Sequence, residues 1–163
     1  MITYSLINDD IKGEEFKNFL NYCLEYSTYF SLTFHKYEEN KYSECYKMLE
    51  KHLIKIVKTY TWYNYKTIEN PLTIGIYNSN VYVLNNLLNQ FDSLFKNKGN
   101  WIEDLCFFCN ENLLFGSVTH IKMAQLFLKS ELEISNFEKF AQWKKIILTS
   151  RDYEYLPSFK LND

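Results

Sequence analysis

Cys106-Phe107-Phe108-Cys109 has the CxxC spacing of zinc and redox motifs. Such a motif needs both sulfurs on one side, on a turn or at a helix start. Here the pair lies in a continuously apolar run, Leu105 to Cys109, which predicts a central strand. Side chains alternate along a strand, so positions three apart face opposite ways. No second CxxC exists, and His120 is the nearby residue that could add a ligand. The two cysteines therefore read, with Cys23 and Cys45, as small buried hydrophobes of a reducing compartment. No metal and no other cofactor is expected.

The three histidines are His35, His52 and His120. His35 falls on the polar face of an alternating strand, and His52 falls inside a helical pattern beside Leu53. His120 closes Ser117-Val118-Thr119-His120 at a strand end, where functional residues often sit. Carboxylates pair at Asp9-Asp10, Glu38-Glu39 and Glu103-Asp104. Adjacent carboxylates serve as an acid/base pair only where a turn aims both at one point. Glu103-Asp104 follows Trp101 at the mouth of a strand. There is no GxSxG, HExxH, Walker A or GxGxxG motif, and four Gly leave little material for a phosphate loop. No catalytic residue is expected. In Tyr60-Thr61-Trp62-Tyr63-Asn64-Tyr65, alternation sets Tyr63 and Tyr65 on the face opposite Tyr60, Trp62 and Asn64. Tyr and Trp are rigid amphipathic anchors of the kind found at interface hot spots.

The elements that must position these groups alternate between helical and strand periods. Phe16, Phe19, Leu20, Cys23 and Leu24 share one face of a helix over Glu14 to Tyr26. Tyr29 to His35 reads as a strand with Phe30, Leu32 and Phe34 inward and Ser31, Thr33 and His35 toward water. Lys41 to Thr59 reads as the longest helix. Tyr60 to Lys66 and Leu72 to Tyr77 read as two strands of one hairpin. Asn78 or Ser79 caps a helix running to about Lys96, ended by Gly99. Leu105–Cys109 and Leu113–His120 form a hairpin across Asn110-Glu111-Asn112, and Lys122–Leu128 follows as a strand. A last helix starts at Ser130 or Ser135, each with a capping-box pattern, and runs through Leu148. The sum is an α+β fold: a mostly antiparallel sheet of about five or six strands with three or four packed helices. Residues 1–150 form a single domain, and 151–163 a C-terminal tail that packs on it or frays.

The chain has 163 residues, 47% of them hydrophobic and 23% charged, which excludes wholesale disorder. Its aromatic share is 18%, with fourteen Tyr and thirteen Phe, while Ala and Arg are nearly absent. That is the composition of an AT-rich genome. The net charge of −2 lacks the basic surplus of a nucleic-acid binder. No apolar run approaches the length of a membrane span, and the N-terminus lacks the basic region of a signal peptide. A cytoplasmic protein is expected, with neither nucleic acid nor membrane as partner.

The run Trp101-Ile102-Glu103-Asp104-Leu105-Cys106-Phe107-Phe108, with Leu113-Leu114-Phe115-Gly116-Ser117-Val118-Thr119-His120, resembles a hairpin of small bacterial proteins of the toxin-immunity type. In those proteins a Glu commonly follows the His; here Ile121 does. The resemblance spans about twenty residues, 101–120. It implies a non-catalytic cytoplasmic protein that binds a cognate toxin domain, such as a nuclease of a contact-dependent growth-inhibition or other polymorphic toxin system. The residues expected to touch that partner are Glu38, Glu39, Tyr63, Tyr65, Glu103, Asp104 and His120. A homodimer is left open. The alternatives are a small enzyme using Cys/His chemistry and a phage or mobile-element accessory protein that sequesters a ligand or a host factor.

Overall fold

The computed structural model describes residues 1–99, 101–157 and 159–161, without the Tyr65 side chain. Its strands are β1 (Ile2–Leu6), β2 (Tyr29–Phe34), β3 (Leu53–Thr59), β4 (Thr61–Trp62), β5 (Tyr65–Lys66), β6 (Leu72–Asn78), β7 (Phe91–Ser93), β8 (Lys96–Asn97), β9 (Ile102–Cys109), β10 (Asn112–Val118), β11 (Met123–Leu128) and β12 (Trp143–Ile146). Its helices are α1 (Gly13–Tyr26), α2 (Tyr37–Asn40), α3 (Glu44–Leu49), α4 (Leu84–Gln90), α5 (Ser135–Glu138) and α6 (Ser150–Glu154). The fold is α+β. The main sheet has eight strands in the order β12-β1-β11-β10-β9-β2-β6-β3, two or three more than expected. All its pairings are antiparallel.

Both faces of the sheet are covered. On one, α1 buries the five residues that its periodicity named, Phe16, Phe19, Leu20, Cys23 and Leu24. They pack with Phe30, Leu32, Phe107, Phe115 and Leu126 in the larger core cluster. On the other, the β4–β5 hairpin and the C-terminal segment lay Trp62, Tyr63 and Phe159 over Ile74, Ile76, Cys106 and Phe108. This second layer corrects the expectation of a wet strand face. Ser31 and Thr33 do share a face of β2, but both are buried.

The extra strands come from segments whose sequence reads as helix. The pattern from Lys41 is helical only as far as Leu49; after a 3-10 turn, Leu53 to Thr59 is extended. There the β-branched Ile54, Ile56 and Val57 suit a pleated surface, and β6 offers an edge to pair with. The hairpin partner of β6 is therefore β3, not Tyr60–Lys66, which closes on itself as β4–β5. Asn80, rather than Asn78 or Ser79, caps a 3-10 turn, Val81–Val83, that leads into α4, and α4 ends at Gln90. Asp10 ends it from afar. Its carboxylate accepts from Phe95 N–H (3.1 Å) and Ser93 Oγ (2.5 Å), holding Phe91 to Asn97 as a tight β7–β8 hairpin. Ser130 does form a capping box, but α5 stops at Glu138. Trp143–Ile146 then pairs with the otherwise free edge of β1. Among the described residues the α-helices are consequently six rather than three or four, and all but α1 are short.

Candidate functional site

One end of the sheet gathers most of the chemistry. It is built from the C-terminus of β2, the N-terminus of β9 and the C-terminus of β10. Pairing of β2 with β9 places Ser31 opposite Cys106 but Thr33 opposite Glu103, so Asp104 and Leu105 together face Leu32. This β-bulge re-aims Asp104, whose φ is +54°, a left-handed value that a non-glycine residue adopts at some cost. Asp104 is thereby turned to the turn after β10. Thr119 N–H donates to Asp104 Oδ1 (2.8 Å), and Asp104 N–H donates to Thr119 Oγ1 (3.2 Å). The reciprocal pair locks a carboxylate that is only 1% exposed.

His35 continues the β2–β9 ladder one step further, its N–H donating to Trp101 C=O (2.9 Å). Asn40 Nδ2 donates to His35 C=O (2.5 Å) and ties α2 to the strand end. The imidazole thus lies beside both carboxylates: Nε2 is 3.9 Å from Glu103 Oε2 and 4.0 Å from Asp104 Oδ2. The His35 side chain is 32% exposed and that of Glu103 16%. Even so, Nε2 itself is shielded from solvent and has no hydrogen-bond partner among the described residues. Glu103 is steadied by its other oxygen, Oε1, which accepts from Asn97 Nδ2 (3.0 Å). Nε2, Oε2 and Oδ2 converge within 4.8 Å of one another.

Around this cluster the surface is aromatic and charged. Trp101, at φ +53°, is 54% exposed, and Lys36, at φ +55°, holds its ammonium 5.2 Å from the indole centre. Lys36 leads directly into α2 with exposed Glu38 and Glu39. Lys41 bonds Glu38 Oε2 (2.5 Å) and also lies over exposed Tyr42, and the contact holds the Glu38 carboxyl below its usual range. Exposed Ile121 follows His120 in the turn after β10.

Of the seven residues expected to meet a partner, Glu38, Glu39, Glu103, Asp104 and His120 come to this end of the sheet. Glu38, Glu39 and His120 are exposed and Glu103 is half-buried, but Asp104 is 1% exposed and bonded to Thr119, so, contrary to expectation, its side chain presents no surface to a partner. Tyr63 contradicts the expectation. It is fully buried on the far face, packed edge-on against Phe127 with its hydroxyl donating to Gln125 Oε1 (2.7 Å). The turn at Asn64 breaks the alternation that would have exposed it, since Asn64 is left-handed at φ +56°. The Tyr65 side chain lies outside the described residues. Two participants were missed. His35 ends an alternating strand like any solvent-facing polar residue, and only the β2–β9 register brings it to Glu103. Trp101 carried no signal of exposure beyond its polar neighbours.

The cysteines fall on opposite faces as the alternation requires, Cys106 in the second cluster and Cys109 against the first. Burial pushes the Cys106 and Cys45 thiols up to about 12 and Cys23 well above its ordinary value. Cys109 is also raised by burial. None has the lowered pKa of an activated nucleophile. Cys109 instead lines an apolar cavity of about 330 Å³ at the opposite end of the sheet, with Tyr26, Leu113 and Phe127. No helix is long and apolar enough to cross a membrane. Compared with known proteins, the chain matches no family model, no curated protein and no solved structure.

Proposed function

We propose that this protein binds and neutralises a cognate bacterial toxin domain in the cytoplasm, as an immunity protein without catalysis of its own, and that it does so with the Trp101 end of its sheet. The observation that carries this is the exposed Trp101 indole on a shaped backbone, with Glu38, Glu39 and Glu103 on the segments that flank it. A half-exposed Trp on a rigid frame is the kind of side chain that supplies most of an interface's energy. Acidic neighbours would speed encounter with a basic nuclease. Such a complex would bury about 1,200–2,000 Å² in total. The raised thiols argue against a cysteine enzyme. Separating an immunity protein from a mobile-element accessory protein rests on gene order, since an immunity gene sits directly downstream of its toxin gene.

The test is co-expression with the toxin domain encoded directly upstream. Wild-type chain should rescue growth and co-purify with the toxin. Trp101→Ala should weaken the complex at least tenfold, and Glu38→Lys with Glu39→Lys should slow association, both with unchanged circular dichroism. If the toxin still kills beside wild-type protein and no complex forms, the proposal fails. If both variants protect as well as wild type, the interface lies elsewhere.

A further inference from the structure

We infer that His35, Glu103 and Asp104 form a binding site for a divalent transition-metal ion of the zinc type, at the junction of β2, β9 and the turn after β10. The donor set is one imidazole nitrogen and two carboxylate oxygens from separate segments, Nε2 at 3.9 Å and 4.0 Å from Oε2 and Oδ2. Ligands about 2.0–2.2 Å from a shared ion stand about 3.4 Å apart at tetrahedral angles, so the set is assembled, with the imidazole about half an ångström too far from each carboxylate. Glu103, with its flexible side chain, can close it.

Each carboxylate already has the support that metal ligands need. Asn97 holds Glu103 by Oε1 and leaves Oε2 toward the imidazole. The Thr119 N–H holds Asp104 by Oδ1, and its Oδ2 stands 4.0 Å from the imidazole. Such outer contacts orient ligands and are part of a working site. The independent sign is His35 Nε2, screened from water with no hydrogen-bond partner among the described residues. A buried polar atom left so carries a desolvation cost that a bound cation removes. The imidazole favours zinc, nickel, iron or copper over magnesium and calcium, which prefer oxygen alone. Three protein ligands leave a fourth position open. An ion here would cross-link the segments His35–Lys36, Trp101–Asp104 and Thr119, and so stiffen the backbone that presents Trp101.

The test is titration of the full-length, metal-stripped chain with Zn²⁺, read by calorimetry and by histidine ring signals in NMR. One ion per chain is expected, shifting the His35 ring while the His52 ring stays in place. His35→Gln and Glu103→Gln should each lose at least tenfold in affinity with unchanged circular dichroism, while Cys109→Ser binds as wild type. Absence of stoichiometric binding overturns the site. So does wild-type affinity in either ligand variant, or loss of binding in Cys109→Ser. Should a ligand variant fail to fold, the wild-type NMR titration decides, and an unmoved His35 ring refutes the assignment. None of these readouts depends on the toxin partner, so this inference and the proposed function can fail separately.

Discussion

Two glycines in mid-strand show how single residues set the packing. A Cβ on Gly75 would lie 2.6 Å from the Tyr77 hydroxyl and 2.9 Å from Phe34, and one on Gly116 would lie 2.8–2.9 Å from the Tyr63 ring. Gly116 makes room for Tyr63, which closes the second layer over β10 and β11 and reaches Gln125. Gly116→Ala should therefore cost about 1–3 kcal/mol by overpacking, read as a lower urea midpoint. In a Tyr63→Ala background most of that cost should vanish; an unchanged cost would mean that the ring is not what the glycine accommodates. The sequence shows a Gly in an apolar strand and a Tyr in a Tyr-rich run. It does not show that one receives the other.

At the scale of elements, α1 and the β9–β10 hairpin were legible because local pattern and final environment agree. The long helical readings from Lys41, Asn78 and Ser130 each broke where a tertiary partner offered extended backbone a better arrangement: β6 for Leu53–Thr59, Asp10 for Phe91–Asn97, and β1 for Trp143–Ile146. The two edge strands that result carry Lys55 and Lys58 on β3 and Lys144 and Lys145 on β12, which oppose edge-to-edge pairing of two copies. The C-terminal segment is an element without periodicity, and its weight lies in Phe159, edge-on to Phe108 at 5.0 Å and to Tyr29 at 6.0 Å. Phe159→Ala should lower stability by about 3–5 kcal/mol in urea unfolding. A loss within about 0.5 kcal/mol would show a frayed tail instead.

For the whole molecule, burial of so many thiol and phenol groups ties stability to alkaline pH. The folded state keeps Cys45 and Cys106 protonated up to about 12, and Tyr63 and Tyr77 are raised in the same sense by burial. Below about pH 9 the thiols are protonated in both states, and their stabilising effect is complete. Above that, the unfolded chain releases protons that the folded chain retains, so stability falls as pH rises toward 12. Each such group contributes a slope of about 1.4 kcal/mol per pH unit in that window. Urea midpoints from pH 8 to 11 should fall, and Cys106→Ala should flatten the decline. A flat profile would mean that the thiols are open to water.

Composition and periodicity alone determined that this is an α+β protein with an antiparallel sheet, a long amphipathic α1 and a central apolar β9, because those features depend on residues near one another in the chain. They also marked Glu38, Glu39, Glu103, Asp104 and His120. Only the tertiary structure decided that these collect at one end of the sheet, that Tyr63 goes inside, and that His35 meets Glu103 and Asp104. The reason is register. One bulged residue at Asp104 and the pairing of β2 with β9 set which side chains converge, and both are fixed by hydrogen bonds between segments about seventy residues apart.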